Sequence, residues 1–122
     1  MLTLEEARRA LNEYYDRLPP EISRELNGGI SLVPQHKVNP QGRGDDLLIL
    51  GEYHHDPGGL GRYITLYYGS FERVYGHLPD HLFRDQLRKT LYHELTHHLE
   101  SLAGDRSLEV EDAKQLAAYK AR

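Results

Sequence analysis

One long helix dominates the sequence and limits the folds that the rest of the chain can adopt. Pro79-Asp80 is a typical helix start, and neither proline nor glycine occurs again until Gly104. Four leucines fall on one face of this segment and form an apolar stripe that must be buried: Leu91, Leu95, Leu99 and Leu102. The pattern therefore predicts a helix from Asp80 to about Ala103 that packs on the core, with Gly104 as its stop.

Shorter elements precede this helix. Apolar residues at spacings of three and four predict an N-terminal helix from Thr3 to about Leu18, and Glu21–Asn27 favours a short second helix. Pro34 restricts the first of the predicted strands to a sheet edge or a bulge. Three strands, separated by polar or glycine-rich turns, are predicted at Gly29–Val38, Leu47–His54 and Arg62–Ser70. A short turn is predicted after them, at Phe71–Gly76.

The order of these elements predicts an α+β fold. It consists of an N-terminal helix, a small sheet of three to four strands, the long helix and a C-terminal helix. Ser107 can cap this last helix, which we expect to end at about Lys120. The length of 122 residues, without a shift in composition along the chain, predicts one domain over residues 1–122.

The composition excludes several classes of site. The 15 Lys and Arg residues and the 19 Asp and Glu residues are spread along the chain, with a net charge of −4 and no basic stripe. A nucleic-acid partner is therefore disfavoured. Cysteine is absent, which excludes disulfides, thiol catalysis and cysteine-based metal sites. Any metal must therefore be bound by histidines and carboxylates. The sequence shows neither a secretory signal nor an apolar run long enough for a membrane span, which predicts a cytoplasmic protein without a membrane partner.

The long helix contains the pattern His93-Glu94-Leu95-Thr96-His97. Residues four apart share one helix face, so the imidazoles of His93 and His97 can bind one Zn²⁺ ion. Glu94 is rotated by about 100° from His93 and lies beside the metal, where it can accept a proton from a water molecule. The two histidines lie opposite the leucine stripe and face outward. The pattern predicts a zinc site with Glu94 as catalytic base, and the competing interpretation is a polar helix face that happens to carry histidines.

A zinc site of this kind needs a third protein ligand, and three carboxylates compete for that position. Asp112 lies within the apolar stripe of the predicted C-terminal helix, where a carboxylate is costly unless a cation meets it. Glu109 lies at the edge of the same face. Asp105 is about 12 Å beyond His97 along a continuous helix. We predict Asp112, with Asp105 and Glu109 as alternatives, while an ion pair with an arginine would also explain Asp112.

Three other sets of polar residues are assigned lesser roles. Glu100 lies one turn beyond His97 and is predicted to hydrogen bond to the ring of a zinc-binding histidine. His98 is rotated away from the metal face, so we expect it either to be exposed or to support the ligands without binding the metal. His54-His55-Asp56 precedes a Pro-Gly-Gly turn and is interpreted as a strand end.

The motif His93–His97 resembles that of the zincin metallopeptidases. The chain length, the order of elements, His98-Leu99 and the stretch Arg62-Tyr-Ile-Thr-Leu-Tyr more narrowly resemble the small stand-alone bacterial proteins called minimal zincins. This resemblance implies a helix packed on a short mixed sheet, with zinc held by the two histidines. Many relatives have a glycine three residues after the second histidine and then an acidic ligand, whereas this chain has Glu100 there. Its methionine, Met1, cannot supply the Met-turn of metzincins.

Together these observations predict a zinc-dependent metallopeptidase that hydrolyses a peptide or protein substrate. An extended peptide is expected to pair with the predicted strand Arg62–Ser70. Two alternatives remain open at this point. One is a non-catalytic zinc- or peptide-binding module with a zincin fold, and the other is a metal-free interaction domain whose last two helices form a partner surface.

Overall fold

The computed structural model describes residues 1–42, 44 and 47–105, and it confirms the α+β class. The predicted helix from Ser107 to Lys120 lies outside the described residues. The elements, in chain order, are α1 (Leu4–Asp16), α2 (Pro20–Ser23), β1 (Gly29–Val33), β2 (Lys37–Val38), β3 (Leu48–Ile49), β4 (Gly51–Asp56), β5 (Gly61–Tyr67), α3 (Tyr68–Tyr75) and α4 (Asp80–Asp105).

The strands form two small sheets. In the three-stranded sheet, β5 lies in the centre, parallel to β1 and antiparallel to β4, so the predicted mixed sheet is confirmed. β2 and β3 form a separate antiparallel pair. Because both edges of β5 are already paired, the prediction that a peptide adds to the segment Arg62–Ser70 is wrong. An added strand needs a free sheet edge.

Each of the three predicted strands is longer than the strands that form. Pro34 follows the end of β1, and the chain then enters the second sheet as β2. Leu50 separates β3 from β4, which belong to different sheets. The third strand ends at Tyr67, and the segment predicted to be a strand end and a turn is helix α3. Tyr68 and Phe71 are both buried, and their spacing of three places them on one face only if the backbone is helical.

Helix α4 confirms the predicted long helix but does not end at Gly104. It continues to Asp105, because an exposed glycine lowers helix stability by only about 1 kcal/mol and does not force a stop. The leucine stripe is buried, and α4 packs against α1, β4 and β5. In the described parts of the chain, no helix is both long enough and apolar enough to cross a membrane.

The N-terminal helix α1 also packs against α4. Thr3 caps α1 as predicted, and it forms a reciprocal capping box with Glu6. Ala7, Ala10 and Leu11 are buried on the face of α1 that packs against the core. The short side chains of the two alanines permit a close approach between helices. The core thus lies between α1, α3, α4 and one face of the three-stranded sheet.

Gly69 generates a testable prediction, because the start of α3 touches the connection between β1 and β2 there. A Cβ at Gly69 would lie 2.6 Å from the backbone nitrogen of His36 and 2.8 Å from the carbonyl carbon of Gln35. We expect Gly69→Ala to lower the free energy of unfolding by about 1–3 kcal/mol, as measured by chemical denaturation, because these backbone atoms cannot rotate away. Gly58→Ala is the control, since a Cβ there meets nothing within 4 Å. Equal stabilities of the two variants would contradict the contact.

Candidate metal centre and the adjoining groove

The two histidines of the motif converge at the exposed face of α4. Nε2 of His93 lies 3.1 Å from Nε2 of His97, and both side chains are open to solvent. Two imidazole nitrogens bound to one tetrahedral zinc ion, each at about 2.0–2.1 Å, are about 3.3 Å apart. The pair therefore already has the spacing of two ligands of a single zinc ion.

Glu94 lies beside this pair, but its side chain is only 5% exposed. Burial raises the pKa of Glu94 above its ordinary value, and the charges of nearby His93 and His97 act in the opposite direction. A raised pKa makes the protonated form of this carboxyl group easier to populate than that of an exposed glutamate. The geometry thus combines two outward imidazoles with one sheltered carboxyl group.

Gly51, the first residue of β4, allows the strand to approach α4 closely at this point. A Cβ at Gly51 would lie 3.1 Å from Cγ2 of Thr90 and 3.4 Å from Cγ of Glu94. Both distances leave little or no room for a larger side chain. Strand β4 therefore passes directly over Glu94, which was not expected from the sequence because Gly51 was placed inside a longer strand.

A groove of about 360 Å³ begins at the metal centre and extends along β3 and β4. The segment Leu48–Gly51 forms its strand wall, with Asn39 nearby. Its helical wall is made by four residues of α4: Lys89, Thr90, His93 and Glu94. A cavity of equal volume between α1 and β1 contains none of the predicted site residues. Of these two cavities, only the first is lined by residues of the motif, His93 and Glu94.

The third ligand predicted for a metal at His93 and His97 has no counterpart in the described part of the chain. No group of three or more histidine, aspartate or glutamate side chains that could hold a metal occurs there. The predicted ligand Asp112 and the alternative Glu109 lie outside the described residues. The backbone of Asp105 is helical, eight residues beyond His97, which corresponds to about 12 Å along the helix axis. The choice among these carboxylates stays a prediction.

Glu100 lies near the other ring nitrogen of His97. The Oε2 atom of Glu100 is 4.0 Å from Nδ1 of His97, which is too long for a hydrogen bond, and the side chain of Glu100 is largely exposed. This is the side of the imidazole on which the sequence places a hydrogen-bond partner.

His98 is completely buried, so the first of the two roles expected from the sequence, an exposed side chain, is wrong. Its Nε2 donates to the backbone oxygen of Arg24, at 2.7 Å, because a carbonyl can only accept. Its Nδ1 must then accept from the hydroxyl of Tyr53, at 2.9 Å, and Arg62 donates to that hydroxyl oxygen and to Ser101. Burial lowers the pKa of His98, which favours the neutral ring that this network requires.

His54 and His55 lie in β4 and do not join the metal centre. Tyr53 points toward α4, so the next side chain, His54, points to the opposite face of the sheet. There the ring of His54 stacks on that of Tyr63, with centroids 4.5 Å apart. The interpretation of this histidine pair as part of a strand end is confirmed.

A polar cluster around Glu52 joins three strands next to the groove. Its Oε1 accepts hydrogen bonds from Nζ of Lys37, at 2.7 Å, and from the hydroxyl of Tyr67, at 2.5 Å. Burial raises the pKa of Glu52, but these two hydrogen bonds, together with the charges of Lys37 and His54, outweigh it, so the pKa lies below its ordinary value. Lys37 is in β2, Glu52 in β4 and Tyr67 in β5, so the cluster fixes the small sheet against the larger one.

Comparison with known proteins gives a structural relative without an assigned activity. No family model and no curated protein matches the chain. Among solved structures, the chain is similar to a conserved hypothetical protein from Thermus thermophilus, with a TM-score of 0.73 and 37% sequence identity. The match covers 85% of this chain and 100% of the other.

The network around His98 predicts a specific loss of stability in Tyr53→Phe. This change removes the hydroxyl that donates to His98 and accepts from Arg62. We expect the free energy of unfolding to fall by about 1–3 kcal/mol, because buried polar groups lose a partner. Tyr63→Phe is the matched control on the opposite face of the sheet and should change stability by about 0.5 kcal/mol or less. A Tyr53→Phe protein as stable as the control would refute the network.

The cluster around Glu52 predicts a dependence of stability on pH. A carboxylate whose pKa is lowered by folding adds stability above its unfolded pKa, about 4.3, and this contribution is lost as the pH falls through the lower folded pKa. Glu52→Gln should therefore lower the melting temperature at pH 7, and its difference from the wild type should shrink toward pH 3. Glu13→Gln, at an exposed position of α1, should melt like the wild type throughout. A constant deficit of Glu52→Gln from pH 7 to pH 3 would speak against the ionic contribution.

Proposed function

The chain belongs to the family of this Thermus thermophilus protein, and we propose that it is a zinc-dependent metallopeptidase with a zincin-like fold. The observation that carries the proposal is the 3.1 Å spacing of the two Nε2 atoms, with the buried Glu94 beside them. A motif-bearing helix that packs on a small mixed sheet supports the zincin-like assignment.

The metal would be held by the imidazoles of His93 and His97, with Asp112 as the proposed third ligand and Asp105 or Glu109 as alternatives. A zinc ion at this position would polarise a scissile carbonyl group and lower the pKa of a water molecule. Because both histidines are exposed, a substrate carbonyl can reach the same point from solvent. Glu100 would orient the ring of His97 from its far side.

Glu94 would carry the proton transfers. Its carboxylate takes a proton from the attacking water molecule as oxygen bonds to the carbonyl carbon. It then gives this proton to the leaving amine nitrogen as the carbon–nitrogen bond breaks, which restores the carboxylate. The pKa raised by burial supports both steps, since the group must be protonated between them.

The free edge of β4 is the proposed place for the substrate backbone. In the described residues, β4 pairs with β5 on one side and with no strand on the other. The amide of Tyr67 donates to the carbonyl oxygen of Leu50, which directs the backbone groups of Leu50 toward β5. Those of Gly51 therefore point outward, next to Glu94. An extended peptide that adds to β4 here would place a peptide bond above the acid–base group.

The central test is Glu94→Gln. We expect this variant to retain zinc, as measured by elemental analysis, because Glu94 is not a ligand. Cleavage of a diverse peptide mixture should fall by about 100-fold or more, since the amide cannot accept the proton. Glu13→Gln, on α1, should cleave like the wild type, whereas His93→Ala should lose both metal and activity.

Other outcomes would favour the alternative functions. Undiminished cleavage by Glu94→Gln would exclude the proposed mechanism. Zinc in the wild-type protein without any peptide cleavage would indicate the non-catalytic binding module. Absence of zinc, together with no thermal shift on its addition, would indicate the metal-free interaction domain.

A further inference from the structure

The groove beside the metal centre has two chemically different walls. The strand wall contains the consecutive apolar residues Leu48, Ile49 and Leu50, all half-buried. The helical wall carries Lys89, whose side chain is exposed. Within the described residues, no acidic group lies within ion-pair distance of Lys89. An aliphatic surface thus faces a cation whose charge no described neighbour neutralises.

The position of Lys89 relative to the metal centre can be read from the helix. Lys89 precedes His93 by four residues, so the two lie on the same face of α4, about 6 Å apart along its axis. An extended peptide advances by about 3.3 Å per residue. The proposed cut lies above Glu94, five residues or about 7.5 Å from Lys89 along the axis, so the second residue past the cut comes closest to Lys89.

The peptide is expected to add antiparallel to β4, because antiparallel pairing is more stable per residue than parallel pairing. The chain enters β4 at Gly51, beside Glu94, and Leu48–Leu50 precede it along the groove. A peptide that pairs antiparallel to β4 runs toward Leu48. The part of the peptide that lies in the groove is then the part that follows the scissile bond.

We propose that this groove binds the segment on the C-terminal side of the cut, and that Lys89 selects a carboxylate at the second residue past the cut. The preferred substrate is a peptide with an aliphatic side chain against Leu48–Leu50 and a carboxylate at Lys89. The carboxylate comes either from an aspartate or glutamate side chain or from the free C-terminus. This inference rests on the proposed peptidase function and adds its substrate class.

The adjacent Arg88 provides a matched control. It carries the same charge on the same helix, but it does not line the groove, and its Nη2 lies 3.4 Å from Asp85. Reversal of charge at position 88 changes the net charge of the protein as much as reversal at position 89. A change in selectivity that occurs only in Lys89→Glu must therefore come from the groove.

The first experiment maps cleavage sites in a random peptide library by mass spectrometry with the zinc-loaded protein. We expect aspartate and glutamate to be enriched about 3- to 5-fold at the second position after the cut, the scale of one solvent-accessible ion pair. Lys89→Gln should lose this enrichment, Lys89→Glu should prefer lysine and arginine there, and Arg88→Glu should retain it. An unchanged profile in Lys89→Glu, or enrichment only before the cut, would overturn the inference while the peptidase function stands.

The second experiment separates the two sources of the carboxylate. Two peptides end two residues past the same scissile bond, one as the free acid and one as the amide. A second pair has glutamate or glutamine at that position and continues further. Faster cleavage of the free acid alone assigns Lys89 to a C-terminal carboxylate, and faster cleavage of the internal glutamate assigns it to a side chain. Equal rates within both pairs would contradict a role for Lys89.

The third experiment distinguishes failure of the inference from failure of the proposed function. Fluorescein-labelled Gly-Gly-Leu-Glu and Gly-Gly-Leu-Gln amides are titrated with zinc-loaded Glu94→Gln, and fluorescence anisotropy reports binding without cleavage. We expect the glutamate peptide to bind about 3- to 5-fold more tightly, and the difference to vanish when Lys89→Gln is added. Equal binding of both peptides overturns the inference. Selective binding without cleavage by the wild type would support the groove and reject the peptidase.

Discussion

Burial of the leucine stripe of α4 is the constraint on which the rest of the structure depends. The stripe packs on the sheet and on α1, and this fixes the rotation of the helix about its axis. Once Leu91 and Leu95 face the core, His93 and His97 must face solvent, and Glu94 must lie at the boundary between them. The candidate metal centre is thus a geometric consequence of hydrophobic packing. No separate interaction is needed to aim the two imidazoles.

Polar contacts then fix strand β4 on both faces of the sheet, just after Gly51. On the helix-facing side, Tyr53 joins β4 to His98, and on the other side Glu52 joins β4 to β2 and β5. Both contacts involve strand β4 within two residues of the point where it crosses Glu94. The contact between Tyr53 and His98 therefore holds β4 against α4, while the contacts of Glu52 hold β4 against β2 and β5.

The features that depend on local periodicity could be predicted from the sequence. The long helix, its leucine stripe and the convergence of the two histidines follow from a 3.6-residue repeat, which is visible without tertiary information. The strand boundaries were less accurate. The predicted strands are interrupted at Leu50 and end before Tyr68, and the local sequence pattern does not reveal either change. The burial of His98 was also missed, since the carbonyl of Arg24 that accepts its hydrogen bond is 74 positions away. The position of β5 in the sheet likewise depends on pairing with β1, which no local pattern reveals.

The adjacency of His97 and His98 has a consequence for how a metal would enter the protein. One ring points to solvent and the next is held inside by two hydrogen bonds, so α4 cannot rotate without breaking buried contacts. The two exposed imidazoles are consequently preorganised in the folded chain before any ion arrives. Metal uptake at these two ligands would then be a binding event on a finished fold, unlike that of small zinc domains in which the ion drives folding itself.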